Sequence, residues 1–286
     1  MSNSLQPYYG EFLVSPVPLE LDMNYCAHSC NYCFANLNKR DRKINLTQIT
    51  NLLNGFEERE TLEAKLLKER YPVMISNHVD PFAASNYQQT VPLLELLRYH
   101  GIPVTIQTRG GRGIDDALEL LEPSVWYISI TFNDDAARRI VEPGAPTIQS
   151  RLELISQLRE RGHRVVVGIN PLEPEWMPDP ASILNECASR GAEGAWIESL
   201  HLNPKQRDQM TPRERTAIGE AIIIRALRHT RGKIDAATAA QFRALPALTP
   251  RASGWKCSAS DSRTPRISSN PGATCTRRPS RSFKIS

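Results

Sequence analysis

The sequence predicts an α/β protein whose six strand–helix units wind into an open, TIM-like partial (β/α)6 barrel. Three observations carry this expectation. Short runs rich in β-branched residues alternate six times with helix-period patterns. Right-handed crossovers make such units wind around a parallel sheet. After residue 230 no seventh strand pattern follows, whereas a closed eight-unit barrel needs about 250 residues and two further units. A doubly wound open sheet satisfies the same pattern and stays as the alternative. In either fold the site lies beyond the C-terminal ends of the strands.

The elements follow in order. Residues 19–23 (LELDM) form the first strand pattern. Ile49, Leu52, Leu53 and Phe56, then Leu62, Leu66 and Leu67, recur at helical spacing. Residues 72–76 (PVMIS) give the second strand and 91–97 the next helix, which Gly101 closes. Residues 103–107 (PVTIQ) are the third strand, 114–121 a short helix, and 125–130 (VWYISI) the fourth strand. Leu152, Ile155 and Leu158 form a helical stripe ended by Gly162, and 164–169 (RVVVGI) follow as the fifth strand. Asp179 reads as an N-cap with Pro180 at the first helical position; Ile183, Leu184 and Cys187 lie behind it, and Gly191 stops the helix. Residues 194–198 (GAWIE) are the sixth strand. The last helix spans 211–228, capped by Thr211 with Pro212 following.

The chain has 286 residues and a formal charge of +4, with 40% hydrophobic and 23% charged residues. That composition excludes wholesale disorder and a collagen-like chain. No apolar run approaches the roughly 20 residues of a membrane span. Residues 1–10 carry neither a basic n-region nor an apolar h-region, so no secretory signal and a cytoplasmic location are expected. The charge is uneven. Residues 249–286 hold eight basic residues against Asp261 alone, so the rest of the chain carries −3. The body is mildly acidic, and the chain divides into a catalytic body, 1–235, and a low-complexity basic tail, 236–286. The tail is rich in Ser, Pro and Arg without apolar periodicity and is expected to stay disordered. A nucleic-acid-binding arm is the functional reading of such a tail, and an end without a role is the plainer one, since its basic residues are not interleaved with aromatics.

Six cysteines are too few and too unevenly placed for a disulfide framework. Cys26, Cys30 and Cys33 fall within eight residues, just past the first strand, in the first βα loop. Three thiolates on a short loop bind three corners of an iron–sulfur cluster and leave one iron without a protein ligand. Together with His28 they can also make a Cys3His structural zinc site, although His28 is crowded between Cys26 and Cys30.

This motif, CxxxCxxC with an aromatic residue (Tyr32) before its last cysteine, resembles the signature of the radical S-adenosylmethionine superfamily. Within it the chain is most similar to the spore photoproduct lyase-like branch. The matching pieces are 76–82 (SNHVDPF), 107–109 (QTR), 128–131 (ISIT) and 142–146 (EPGAP) with Arg151 following. The resemblance runs from about residue 19 to about residue 200. It implies a [4Fe–4S] cluster on Cys26, Cys30 and Cys33, whose free iron chelates the amino and carboxylate groups of S-adenosylmethionine. Reductive cleavage would then yield methionine and a 5′-deoxyadenosyl radical that abstracts hydrogen from a substrate in the barrel mouth. It further implies a one-electron reductant such as flavodoxin or ferredoxin. It points mildly to a nucleic acid or nucleotide as substrate, against which the acidic body argues. A glycyl-radical-type activase acting on a protein, and a non-catalytic zinc-binding module, are the alternatives.

Arg109 ends the third strand and matches the family's basic residue facing the methionine carboxylate. Ser129, with Thr131 beyond it, matches a serine near the methionine moiety. Ser76, Asn77 and Asp80 follow the second strand, where the superfamily binds the amino group; Asp before Pro also starts turns. Glu142 and Arg151 read either as ligands or as a salt bridge bracing the site. Gly168 and Asn170 let backbone approach the adenine, and Glu198 ends the sixth strand as a weaker cofactor candidate. His78 stands beside Asp80 as a candidate proton relay. The lyase-like branch carries its hydrogen-donating cysteine after the second strand, where this chain has Asn77. The product radical therefore needs another donor, such as Tyr32, Tyr127 or re-formed S-adenosylmethionine, and thymine-dimer repair is not predicted. Cys187 reads as a core thiol.

Overall fold

A computed structural model describes residues 6–7, 19–21, 26–33, 46–75, 79–229, 255–258 and 273–277. Strand β1 is Gln6–Pro7, β2 Leu19–Leu21, β3 Val73–Ile75, β4 Val104–Thr108, β5 Val125–Ser129, β6 Arg164–Ile169 and β7 Gly194–Ile197. From β2 to β7 every neighbour pairs parallel and in chain order. A doubly wound sheet reverses direction at a switch point; this order never does. The sequential winding selects the partial barrel over its competitor.

Helix α1 is Leu46–Gly55, α2 Leu62–Lys68, α3 Tyr87–Tyr99, α4 Ile114–Leu120, α5 Asp135–Val141, α6 Ile148–Glu160 and α7 Pro180–Ser189. The caps behave as their residue types require. Asp179 Oδ1 accepts the Ser182 N–H at 3.0 Å at the start of α7, with Pro180 at the first position. Two features depart from the expected pattern. Helix α5 is only seven residues long, with Arg138 and Val141 buried; Asp134 starts it by accepting the N–H groups of Ala136 and Ala137. The expected last helix is divided into α9, Pro212–Ile218, and α10, Glu220–His229, preceded by α8, Pro204–Gln209. The break is Gly219, whose φ of +92° lies where residues with a Cβ are strained. Thr211 caps α9 through a reciprocal capping box with Glu214.

Register separates the two faces of the sheet. Val73, Ile75, Val104, Ile106, Trp126, Ile128, Val165, Val167, Ile169, Ala195 and Ile197 belong to one contiguous apolar core together with the helix residues Leu93, Leu97, Ile155, Leu158, Ile183 and Cys187. The alternate residues, Met74, Thr105, Gln107, Tyr127, Ser129, Val166, Gly168 and Trp196, pair with one another across the strands and line the lumen. Met74 and Trp196 are buried yet lie outside that core. Two backbone segments of the tail also lie in the sheet: β9, Ala273–Arg277, pairs antiparallel with β7, and β8, Trp255–Ser258, with β9. Neither adds a parallel unit, and the remainder of 236–286 lies outside the described residues. Among the described residues no helix is long and apolar enough to cross a membrane.

Candidate active site

The loop carrying Cys26, Cys30 and Cys33 is clamped at both ends. Its Asn31 N–H donates to Val141 O at 2.9 Å, and the Asn31 amide to Ile140 O at 2.7 Å. The Gly144 N–H donates to His28 O at 2.9 Å. This approach needs a glycine: a Cβ at Gly144 would stand 2.4 Å from Ala27 O and 2.9 Å from His28 O. On the other flank the Ala27 N–H donates to Ser85 Oγ at 3.1 Å. The cysteine loop is thus held against the segment after α5 and the segment after β3.

Buried His28 is engaged through both ring nitrogens: Nδ1 lies 3.2 Å from Gly144 O, and Nε2 lies 3.1 Å from Asp80 Oδ2. With its ring nitrogens so placed, it does not complete a Cys3His set. Among the described residues no group of three or more His, Cys, Asp or Glu closes around a single metal ion. Both observations weigh against the zinc reading.

Asp80 is a hub. Oδ1 accepts the Phe82 N–H at 3.0 Å and the Thr108 hydroxyl at 2.7 Å, while Oδ2 accepts the Arg109 N–H at 2.6 Å beside His28. Burial opposes its ionisation, but His28 and these donors overrule it and hold the carboxyl below the usual range. Through these contacts Asp80 ties His28 of the cysteine loop to the backbone of Arg109.

Glu142 is a second hub, fully buried. Its Oε2 accepts from Arg151 Nη2 at 2.6 Å; its Oε1 accepts from Arg109 Nε at 3.0 Å and from the Tyr32 hydroxyl. Burial pushes this carboxyl up, yet the guanidinium groups of Arg109 and Arg151 win and bring it down to about 2. Arg109 Nη2 also donates to Tyr32 Oη at 2.8 Å, and Arg151 reaches Ser129 O and Pro146 O at 3.0 and 3.1 Å. Glu142 and Arg151 have no exposed surface, and their ion pair ties the segment after α5 to α6. Glu142 fixes the Arg109 guanidinium, while part of the Arg109 side chain stays exposed. Tyr32 stacks on Trp176, with ring centroids 5.7 Å apart and planes at 28°, and Phe132 packs behind Trp176.

The three thiols sit deep in this frame. Cys26 and Cys30 are buried and Cys33 half-buried. Burial, Asp80 and Cys33 push the Cys26 thiol up to about 12. Burial also raises Cys30, with Arg109 opposing and Glu142, Cys33 and Cys26 adding to the rise. Each thiolate disfavours the others, as when a donor set gathers in low dielectric to share one cationic centre. Three such thiolates fit three corners of an iron–sulfur cluster.

Of the remaining candidates, Ser129 and Gly168 stand in register on the lumen face, facing Trp196. Thr131 is buried and donates to Asn170 O at 3.5 Å, which ties it to the backbone at the end of β6. Asn170 is half-buried there. Glu198 follows β7, and burial alone pushes its carboxyl up to about 7. Ser76, Asn77 and His78 lie outside the described residues. Sequence reasoning missed Trp176 and Trp196 and gave Gly144 no role beyond its place in the 142–146 match; Gly144 lies 111 positions past Cys33, so no local signal joined it to the cysteine motif.

The profile of the Radical SAM superfamily matches residues 21–180. The chain belongs to that superfamily, whose members use a [4Fe–4S] cluster and S-adenosylmethionine. Among curated proteins it is 27% identical over 201 residues to an uncharacterised protein of Mycobacterium tuberculosis, covering 64% of this chain and 58% of that relative. It is 25% identical over 194 residues to the uncharacterised ORF301 of Acidianus two-tailed virus, covering 62% and 64%. The chain thus aligns with less than two thirds of these relatives' length. Among solved structures, a spore photoproduct lyase double mutant with bound AdoMet and dinucleoside spore photoproduct superposes with a TM-score of 0.53 at 13% identity, covering 70% of this chain and 62% of that one. TYW1 with a lysine–pyruvate adduct superposes with a TM-score of 0.51 at 14% identity, covering 91% and 79%. These likenesses show the fold.

Proposed function

We propose that this chain is a radical S-adenosylmethionine enzyme with Cys26, Cys30 and Cys33 as the protein ligands of one [4Fe–4S] cluster. The observation that carries the reading is the placement of three buried cysteines on one clamped loop, beside an arginine fixed in an otherwise satisfied frame. When bound, the cluster and S-adenosylmethionine supply reductive C–S cleavage and a hydrogen-abstracting radical.

The chain's own residues do the rest. Arg109, oriented by Glu142 and Tyr32, presents a forked donor to a carboxylate such as that of the methionine moiety. Asp80 fixes the backbone of Arg109 and, through His28, the loop of Cys26 to Cys30, so that cation and thiols keep one geometry. Gly168 lets the Trp196 indole edge lie close to the strand beside Ser129. The Tyr32, Trp176 and Phe132 rings cover the loop and keep water from it. A one-electron protein donor of the flavodoxin or ferredoxin type serves as reductant. A nucleotide or nucleic acid is the substrate class, supported by the likeness of fold to a lyase that binds a dinucleoside.

The test is product analysis. Protein reconstituted anaerobically with iron and sulfide, then given dithionite and S-adenosylmethionine, is expected to release 5′-deoxyadenosine and methionine. Release of neither from cluster-loaded protein overturns the assignment.

A further inference from the structure

One guanidinium outside the cysteine frame bridges two carboxylates. Arg225 of α10 donates Nε to Glu173 Oε2 at 3.2 Å and Nη2 to the same oxygen. Its Nη1 donates to Glu175 Oε1 at 3.0 Å and its Nη2 to Glu175 Oε2 at 2.7 Å. Both partners sit in the loop after β6, 52 and 50 positions away. Helix α10 is anchored on its own account, by Ile222, Ile223 and Ala226 in the apolar core. It lies beyond residues 21–180, the span of the superfamily profile.

Glu173 is 1% exposed and is the knot of the turn that carries Trp176. Its Oε1 accepts the Leu200 N–H at 3.1 Å, and its carbonyl accepts the N–H groups of Trp176 and Met177 at 3.0 and 2.9 Å. Burial pushes the Glu173 carboxyl up, while Arg225 and the Leu200 N–H oppose the rise. Without Arg225 the Leu200 N–H opposes burial alone, and the carboxyl takes up a proton or leaves its pocket. The far end of the loop is pinned by Asn133, whose N–H donates to Trp176 O at 3.3 Å and whose side chain exchanges hydrogen bonds of 2.7 and 2.9 Å with the Asp179 backbone.

Trp176 completes a line of contacts to the site. Its ring stacks on Tyr32 with centroids 5.7 Å apart, and the Tyr32 hydroxyl donates to Glu142 and accepts from Arg109 Nη2 at 2.8 Å. Stacked rings hold each other's plane, and the hydroxyl stands at the far end of the Tyr32 ring, where a tilt displaces it most. A planar fork spans two carboxylates, which the point charge of an ammonium does not.

We infer that Arg225 is a positioning residue of the active site: by fixing Glu173 and Glu175 it seats Trp176 on Tyr32 and so holds the Arg109 guanidinium in place for a carboxylate. This rests on the enzyme reading above and makes the C-terminal helix α10 part of the catalytic unit. Arg225 acts through Trp176 and takes no part in bond cleavage.

The test has two readouts on the full-length protein. Before loading, the near-UV circular dichroism band that disappears in Trp176→Leu is expected to disappear in Arg225→Gln as well, with the far-UV spectrum unchanged. After loading with iron and sulfide, S-adenosylmethionine binding measured by calorimetry is expected to weaken about tenfold in each variant, the scale set by displacing a group that orients a ligand. The double variant should bind no more weakly than either single one, because both changes act through one ring contact. Arg225→Lys, which keeps the charge without the fork, should fall between Arg225→Gln and wild type, and it carries the comparison should Arg225→Gln not fold. Arg159→Gln is the control: it breaks the ion pair with Glu193 at the opposite end of the barrel and should lower the urea midpoint with no change in S-adenosylmethionine affinity. A near-UV band kept in Arg225→Gln, unchanged affinity there, losses that multiply in the double variant, or an equal loss in Arg159→Gln overturns the inference. A wild type that loads no cluster, with the band still lost in Arg225→Gln, would sink the enzyme reading while leaving the clamp on Trp176 standing.

Discussion

At the scale of single residues, the site is built from carboxylates doing opposite jobs. Glu142 is ionised and doubly bridged, so its removal leaves Arg109 and Arg151 buried with a neutral partner. Glu142→Gln is expected to cost about 3–5 kcal/mol, read as a lowered urea midpoint. Its folded pKa of about 2 lies below the value near 4.5 of a free glutamate. The stability it contributes is therefore complete above about pH 4.5 and is lost as pH falls from there through about 2. Glu198 works in the reverse sense. Its folded pKa of about 7 is raised, so the unfolded chain releases a proton that the folded one retains. The resulting cost grows from about pH 4.5 to 7 and stays constant above. Glu198→Gln should therefore stabilise the protein at pH 8, by up to about 3 kcal/mol, and leave it unchanged at pH 4. Urea titrations at the two pH values check this, and a gain equal at both contradicts the assigned burial. None of these roles can be read locally. Glu142 meets Arg109 and Tyr32 from 33 and 110 positions away, and His28 finds Asp80 across the barrel mouth, so only the fold reveals who is satisfied and who is not.

At the scale of elements, the cysteine loop owes its shape to the segment after α5. Gly144→Ala places a carbon against Ala27 O and His28 O, and the loop must shift. The expected outcome is reduced iron uptake on reconstitution while far-UV circular dichroism stays close to wild type, because the sheet does not depend on that contact. Full iron incorporation in this variant would show that the clamp is dispensable. The strands and the caps at Asp179 and Thr211 were legible in the sequence because their signals are local: β-branched runs, an oxygen-bearing cap and a proline in the first turn. Helix α5 was not, because it spans only seven residues and its burial runs against its pattern: Arg138 is buried while Ile140 is exposed. The break at Gly219 was hidden for another reason. Helical spacing continues across it, and the interruption resides in one positive φ rather than in any hydrophobic pattern.

At the scale of the whole molecule, parallel strands laid down in chain order bring the loops after β2, β3, β4 and β5 to one rim. That rim gathers Cys26 to Cys33, Asp80, Arg109 and Glu142 from four separate units, while the inner face below it carries Ser129, Gly168 and Trp196 in one register row. The cysteine spacing made the first of these groups visible in the sequence. The row on the lumen face was only partly visible, because alternation tells which residues share a face but not which face turns inward. The chain belongs to the radical SAM superfamily, and the three cysteines are the centre of the chemistry proposed for it. The most direct measurement is the iron and sulfide content, with the visible spectrum, of anaerobically reconstituted wild-type, Cys30→Ala and Cys187→Ala proteins. The account predicts about four iron and four sulfide per chain with cluster absorbance in the wild type and in Cys187→Ala, and loss of both in Cys30→Ala. Equal loss in the two variants, or a wild type that retains tightly bound zinc and no sulfide, would contradict it.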